Sequence, residues 1–165
     1  MDIKRTFDIL PYALKNHPFE DCLAAKENGK WRKYSTQEFS NKVNQMSNAL
    51  IEIGIQPGDK IASINNNRPE WNILNYAVSQ IGAILCPMYP TISASDYVYI
   101  FNHSEVKYVF VSDEEILGLL NELIQDHKDQ SNLKKIESLE QKLIDNLDEN
   151  SFSELIKLKS QLNRD

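Results

Sequence analysis

The stretch from Gly82 to Asp113 (GAILCPMYPTISASDYVYIFNHSEVKYVFVSD) constrains the fold more than any other part of the chain. It opens with a short apolar run, Ala83–Pro87, bounded by Pro87 and Pro90, which have no amide hydrogen to donate to a sheet ladder, so a strand is expected to leave its sheet there. Ser93-Ala94-Ser95-Asp96 follows with a hydroxyl to receive the orphan amides of a new helix and a carboxylate for its positive first turn. Tyr97, Ile100 and Phe101 then fall on one helical face. Beyond His103 and Ser104, the run Val106, Tyr108, Val109, Phe110, Val111 is β-branched and aromatic, and Asp113 closes it as a strand-end residue. Strand, helix and strand in so short a span imply a right-handed parallel unit.

The same alternation extends upstream. Lys60–Asn65 reads as a strand, Asn67-Arg68-Pro69 as a cap with proline near the first helical position, and Glu70–Ile81 as a helix burying Trp71, Leu74, Ala77, Val78 and Ile81. Before it, Ser35-Thr36-Gln37-Glu38 is a capping box, opening a helix whose apolar positions are Phe39, Val43, Met46, Leu50 and Ile53. Gly54 is suited to end that helix in a left-handed cap, and Pro57-Gly58-Asp59 turns the chain toward the strand at residue 60. Cys22–Ala25 and Trp31–Tyr34 flank Glu27-Asn28-Gly29-Lys30, and Asn-Gly is a strong hairpin signal. The expected class is therefore α/β: an N-terminal hairpin plus a short parallel sheet of three strands with flanking helices.

Composition changes at about residue 113. Residues 1–112 hold 11 Lys+Arg and 11 Asp+Glu, whereas residues 113–165 hold 7 and 13, so the net charge of −6 arises in the second segment. All six prolines, both tryptophans and all seven tyrosines precede residue 113. Helical periodicity continues over Glu114–His127, Leu133–Leu147 and Phe152–Leu162, the last opened by the capping box Ser151-Phe152-Ser153-Glu154. The expected division is thus an α/β domain over residues 1–113 and an acidic, all-helical tail over residues 114–165.

Several function classes are disfavoured. An acidic balance with dispersed lysines argues against nucleic-acid binding. No run reaches the roughly twenty apolar residues of a membrane span, and Met1-Asp2-Ile3-Lys4-Arg5 lacks the apolar core of a signal peptide, so the cytoplasm is the expected location. Cys22 and Cys86 lie in apolar segments and read as buried free thiols; His17, His103 and His127 have no metal-ligand spacing. Trp71 and Tyr89 are read as core aromatics before ligand contacts, and Arg68 as part of a solvated cap.

Taken in order, the hairpin, Tyr34-Ser35-x-x-Glu38-Phe39, Gly54-x-x-Pro57-Gly58-Asp59-Lys60, Asn67-Arg68-Pro69-Glu70-Trp71, Gly82-Ala83-x-x-x-Pro87-x-Tyr89-Pro90-Thr91 and Ser104-Glu105-x-Lys107-Tyr108 resemble the N-terminal segment of AMP-forming acyl-CoA synthetases. The Asn-Arg-Pro-Glu-Trp and Tyr-Pro-Thr elements look most like the long-chain fatty acid-CoA ligase branch. The resemblance covers about residues 3–113. It implies, for a complete enzyme, ATP, Mg2+ and coenzyme A, and conversion of a fatty acid to acyl-adenylate and then to the thioester.

That chemistry requires amides and a lysine around the phosphates and cationic groups for the transition state. The five glycines, at 29, 54, 58, 82 and 118, include no adjacent pair and no Ser/Thr/Gly-rich loop followed by lysine. The nearest imitation, Gly54–Lys60, reads better as a helix stop and turn. No catalytic, cofactor-binding or metal-ligating residue is therefore assigned, and no cofactor is expected for the chain alone. The expectation is an incomplete adenylate-forming subdomain, inactive by itself, from a truncated, rearranged or frame-shifted gene. A non-enzymatic interaction module, self-associating through the tail, and one half of a split ligase with a complementing fragment are the rivals.

Overall fold

A computed structural model describes residues 3–126, which fall into two compact units: residues 3–55 with 68–81, and residues 56–67 with 82–126. The helical patterns expected over 133–147 and 152–162, the Ser151–Glu154 box and His127 lie outside the described residues.

In the first unit, a short 3-10 turn, Thr6–Asp8, leads into α1 (Ile9–Asn16), a helix the sequence reading did not anticipate. The Asp8 carboxylate accepts bonds from Arg5 Nη2 (2.9 Å) and from the Arg5 and Lys4 amides, and the Arg5 side chain above all holds that carboxyl below its ordinary value. β1 (Leu23–Glu27) and β2 (Lys30–Tyr34) form the expected hairpin, with Leu23 opposite Tyr34 and Glu27 opposite Lys30. Its turn residues Asn28 (φ 49°) and Gly29 (φ 80°) are both left-handed, as a two-residue type I′ turn demands. The hairpin's inner face ends in buried Tyr34, whose hydroxyl donates to Glu27 Oε1 at 3.0 Å; burial, then this bond, raise the phenol's pKa far above its usual range. The Arg32 guanidinium lies 4.5 Å from the Tyr34 ring centroid and reaches Glu38 at 3.2 Å.

α2 (Thr36–Glu52) begins where expected, with Ser35 Oγ accepting the Glu38 N–H at 3.1 Å, and ends at Gly54 (φ 91°). Phe39, Val43, Met46, Leu50 and Ile53 are all buried. α3 (Pro69–Gln80) starts on its proline and buries Glu70, Ile73, Leu74, Ala77 and Val78. Trp71 and Ile81, expected on that stripe, are only half-buried. Trp71 sits one residue, or about 100°, round the helix from Glu70, and Ile81 lies just past the helix end. The two helices meet through Ser47 Oγ to Gln80 Oε1 (2.8 Å) and an edge-to-face Phe39–Tyr76 pair.

The second unit holds a parallel sheet with β3 (Lys60–Ile64) between β4 (Ile84–Met88) and β5 (Tyr108–Val111); Ala62 lies opposite both Cys86 and Val109. Residues 61–64 of β3 are fully buried, as a central strand covered on both faces should be. β4 does not end at Pro87 but runs one residue past it to Met88. The Ile84 N–H bonds Asp59 O at 2.8 Å toward β3, so by alternation Leu85 and Pro87 turn their backbone groups away, and the proline removes no bond to β3. α4 (Ala94–Ser104) carries the full Ser93–Asp96 capping box and stops at Glu105, which adopts a left-handed φ of 54°. β5 is shorter than expected, because Val106 is buried in the approach to the strand rather than paired in it.

Asp113 does more than close β5. Its Oδ1 accepts the Ile116 N–H at 3.0 Å, capping α5 (Glu114–Asp126). Ile116 and Leu120 then join one apolar cluster with Ala62, Ile64, Tyr97, Phe101, Val109 and Val111.

Candidate functional site

Open parallel sheets bind ligands beyond the carboxyl ends of their strands. In the second unit that edge is made by Asn65, Asn66 and Asn67 after β3, by Tyr89, Pro90 and Thr91 after β4, and by Ser112 and Asp113 after β5. Buried Tyr97 on α4 fixes the middle segment by donating its hydroxyl to Tyr89 O at 2.8 Å. The Tyr89 ring is left 78% exposed, correcting its reading as a core aromatic. Asn65 Nδ2 donates to Ser63 Oγ, and Asp113 accepts from Ser112 Oγ at 2.8 Å. Such an edge supplies amide and hydroxyl hydrogen bonds and an aromatic surface, but this set of residues contains no cationic side chain for a phosphate.

The one sequence feature that imitates a phosphate loop spends its groups on structure. Gly58 N–H bonds Gly82 O at 2.8 Å, Asp59 N–H bonds Gln56 O at 3.0 Å, and the Gln56 N–H bonds Asp59 Oδ2 at 2.9 Å. The Lys60 ammonium pairs with Glu105 at 3.3 Å. These bonds make a turn and a strand start, as the sequence suggests, and leave no ring of amides to cradle an anion.

At that same amino end of the sheet sits a pairing the sequence reading missed. Asp59, ahead of β3, bonds the Lys107 ammonium ahead of β5, while Lys60 bonds Glu105, so the two motifs that surround these residues are matched acid to base. Burial raises the Asp59 pKa, but the Lys107 bond and the Gln56 amide together outweigh it and bring the carboxyl below 3.8. The signal was present as Asp59-Lys60 and Glu105-x-Lys107, but neither spacing says which strand lies beside which.

Arg68 reaches Glu70 Oε2 at 2.8 Å, so part of its charge is spent on a buried carboxylate rather than on solvent alone. Cys22 and Cys86 are free but half-buried, not buried as expected; burial pushes the Cys86 thiol up. His103 stacks on Tyr99 with ring centroids 5.6 Å apart, and His17 lies beside Tyr12. Among the described residues, no three His, Cys, Asp or Glu side chains gather as metal ligands, and no helix is long and apolar enough to cross a membrane.

Comparison with known proteins gives this fold a family. The sequence matches the AMP-binding enzyme family over residues 12–164. It is 30% identical over 95 residues to the long-chain-fatty-acid–CoA ligase FadD15 of Mycobacterium tuberculosis, covering 58% of this chain and 16% of that protein. It is 34% identical over 90 residues to long chain acyl-CoA synthetase 1 of Arabidopsis thaliana, covering 54% of this chain and 13% of that one. The match thus spans between about an eighth and a sixth of the length of these relatives. Among solved structures, the inhibitor-bound N-terminal domain of FACL13 from Mycobacterium tuberculosis superposes with a TM-score of 0.70 at 19% identity, over 92% of this chain and 35% of that chain. The anthranilate CoA ligase AuaEII in complex with anthranoyl-AMP gives 0.68 at 21%, over 82% and 25%. The ordered motifs, the three-stranded parallel sheet and the match over most of the sequence lead to one conclusion: the chain belongs to the AMP-binding enzyme family.

Proposed function

We propose that this chain is part of a ligase that activates a long-chain fatty acid with ATP, through an acyl-adenylate, and that these 165 residues do not catalyse adenylation on their own. The observation that carries the reading is a division of parts. The scaffold motifs form the hairpin, the helices and the parallel sheet, while the turn that imitates a phosphate loop bonds its amides within the protein, which supports a fragment short of the groups that stabilise a transferring phosphoryl charge. The relatives named long-chain ligases support a fatty acid as the substrate of the whole enzyme. ATP, Mg2+ and coenzyme A belong to that whole enzyme, and the described donors do not form a site for the metal.

In this reading residues 1–113 are a partial AMP-binding domain and residues 114–165 an acidic helical tail, the boundary marking a change of composition. α5 nonetheless contributes Ile116 and Leu120 to the apolar cluster of the sheet. The phosphate loop that chemistry needs would come from outside these residues, from a longer form of the same chain or from a complementing polypeptide. The test is fatty-acid-dependent exchange of pyrophosphate into ATP. Purified chain should give no exchange above a no-protein control, and the chain mixed with the remainder of a long-chain ligase should give some. Exchange by the chain alone would overturn the claim of inactivity; silence of a mixture shown to form a complex would overturn the claim of parentage in a fatty-acid ligase.

A further inference from the structure

β1 and β2 form a two-stranded ribbon of their own, joined by Asn28 and Gly29, with Glu27 paired to Lys30 across the turn. Asn28-Gly29 is the one asparagine–glycine pair in the sequence, and both residues are exposed. In such a pair the glycine nitrogen is the least hindered backbone nucleophile that can face the asparagine side-chain amide, and around Gly29 even an added Cβ would meet nothing within 4 Å. The turn itself holds the reaction off. A five-membered ring closes only when Asn28 Cβ and the Gly29 nitrogen eclipse about the Cα–C bond of residue 28. The φ values of 49° and 80° make this a type I′ turn, and in that turn the two atoms stand about 150° apart.

We infer that Asn28 is a deamidation site gated by opening of the hairpin, and that the isoaspartate it forms keeps the turn from closing again. When the tip opens and ψ of residue 28 is free to rotate, the Gly29 nitrogen attacks Asn28 Cγ. The bond from Cγ to the side-chain nitrogen breaks, and ammonia leaves with the proton that Gly29 has given up. Water then adds to one carbonyl of the cyclic imide or to the other, giving aspartate or isoaspartate. One water is consumed and one ammonia released, with nothing oxidised or reduced. Two-stranded ribbons are only marginally stable by themselves, and opening a loop tip requires little free energy. Aspartate at position 28 keeps the turn, because Asp-Gly suits type I′ as well as Asn-Gly does. Isoaspartate does not: its main chain passes through Cβ, so a two-residue turn gains an atom between Glu27 and Lys30, and the Glu27 carboxylate loses the strand geometry that holds it to the Tyr34 hydroxyl.

The experiment is incubation of the full chain in warm, mildly alkaline buffer, with and without urea, followed by peptide mapping that detects the mass gain of amide-to-acid conversion and separates isoaspartyl from aspartyl peptides. Conversion should appear first at Asn28, give both products, and run at least about tenfold faster in urea than in buffer alone. In urea Gly29→Ala should slow it, because a Cβ hinders the attacking nitrogen, and that comparison does not require the variant to fold. The isoaspartyl form, purified by chromatography, should unfold at a lower urea concentration than the parent, whereas Asn28→Asp should match the parent. No conversion at Asn28 in urea, equal rates with and without urea, undiminished conversion in Gly29→Ala, or an isoaspartyl form as stable as Asn28→Asp would each overturn the inference. None of these outcomes depends on whether the chain takes part in fatty acid activation.

Discussion

Asp59 is the residue on which most of the sheet's amino edge converges, since its carboxylate serves Lys107 and the Gln56 amide while its carbonyl serves Ile84. A carboxylate held below its ordinary value stabilises the fold above the unfolded-state pKa, near 3.8, and that contribution fades as pH falls through the lower folded-state value. Asp59→Asn should therefore cost roughly 1–3 kcal/mol at neutral pH, because a buried carboxylate loses its charge-assisted bond to the half-exposed Lys107. The difference between parent and variant should shrink as the pH drops below about 4, where the parent's own carboxyl takes up a proton. Urea midpoints measured across that range would check it; curves for the two proteins that stay parallel throughout would show that Asp59 does not stabilise through its charge. Lys107 was not legible as its partner, because sequence gives the chain order of strands and not which of them are neighbours.

Among the elements, those with a local chemical signal were readable and those set by tertiary contact were not. Asn28-Gly29, Ser35 with Glu38, Ser93 with Asp96 and Gly54 each state a backbone geometry by themselves, and the hairpin turn, two helix starts and one helix stop follow from them. α1 offers no comparable capping side chain, which is why it went unread. Trp71 was misplaced because it stands at helical spacing from Leu74 and Val78, whereas the face that packs takes Glu70 and Ile73 beside them. Pro87 was read as a stop because a proline cannot donate, but on an edge strand its nitrogen faces away from the ladder. α5 was grouped with the acidic segment, yet its buried residues should behave as core. Leu120→Ala should cost roughly 2–5 kcal/mol by leaving a cavity in the cluster. Leu119→Ala, at a position 40% exposed, should stay within about 0.5 kcal/mol of the parent. Equal effects of the two in chemical denaturation would mean that α5 does not pack as described.

At the scale of the molecule, each compact unit is assembled from separated stretches, residues 82–126 returning to 56–67 after α3, which belongs to the other unit. Cutting the chain after residue 113 would remove Ile116 and Leu120 from the cluster around Tyr97 and Phe101 and uncover apolar surface. Light scattering behind size-exclusion chromatography should therefore show the 1–113 piece aggregating where the full chain does not, and a soluble, cooperatively folded monomer would count against that. The central claim is that these residues build a scaffold of the AMP-binding family without its phosphate-holding chemistry. Titration calorimetry with Mg-ATP addresses it most directly, because binding precedes any catalysis and needs no acyl substrate. The account predicts no saturable heat up to millimolar nucleotide, and a micromolar dissociation constant would contradict it.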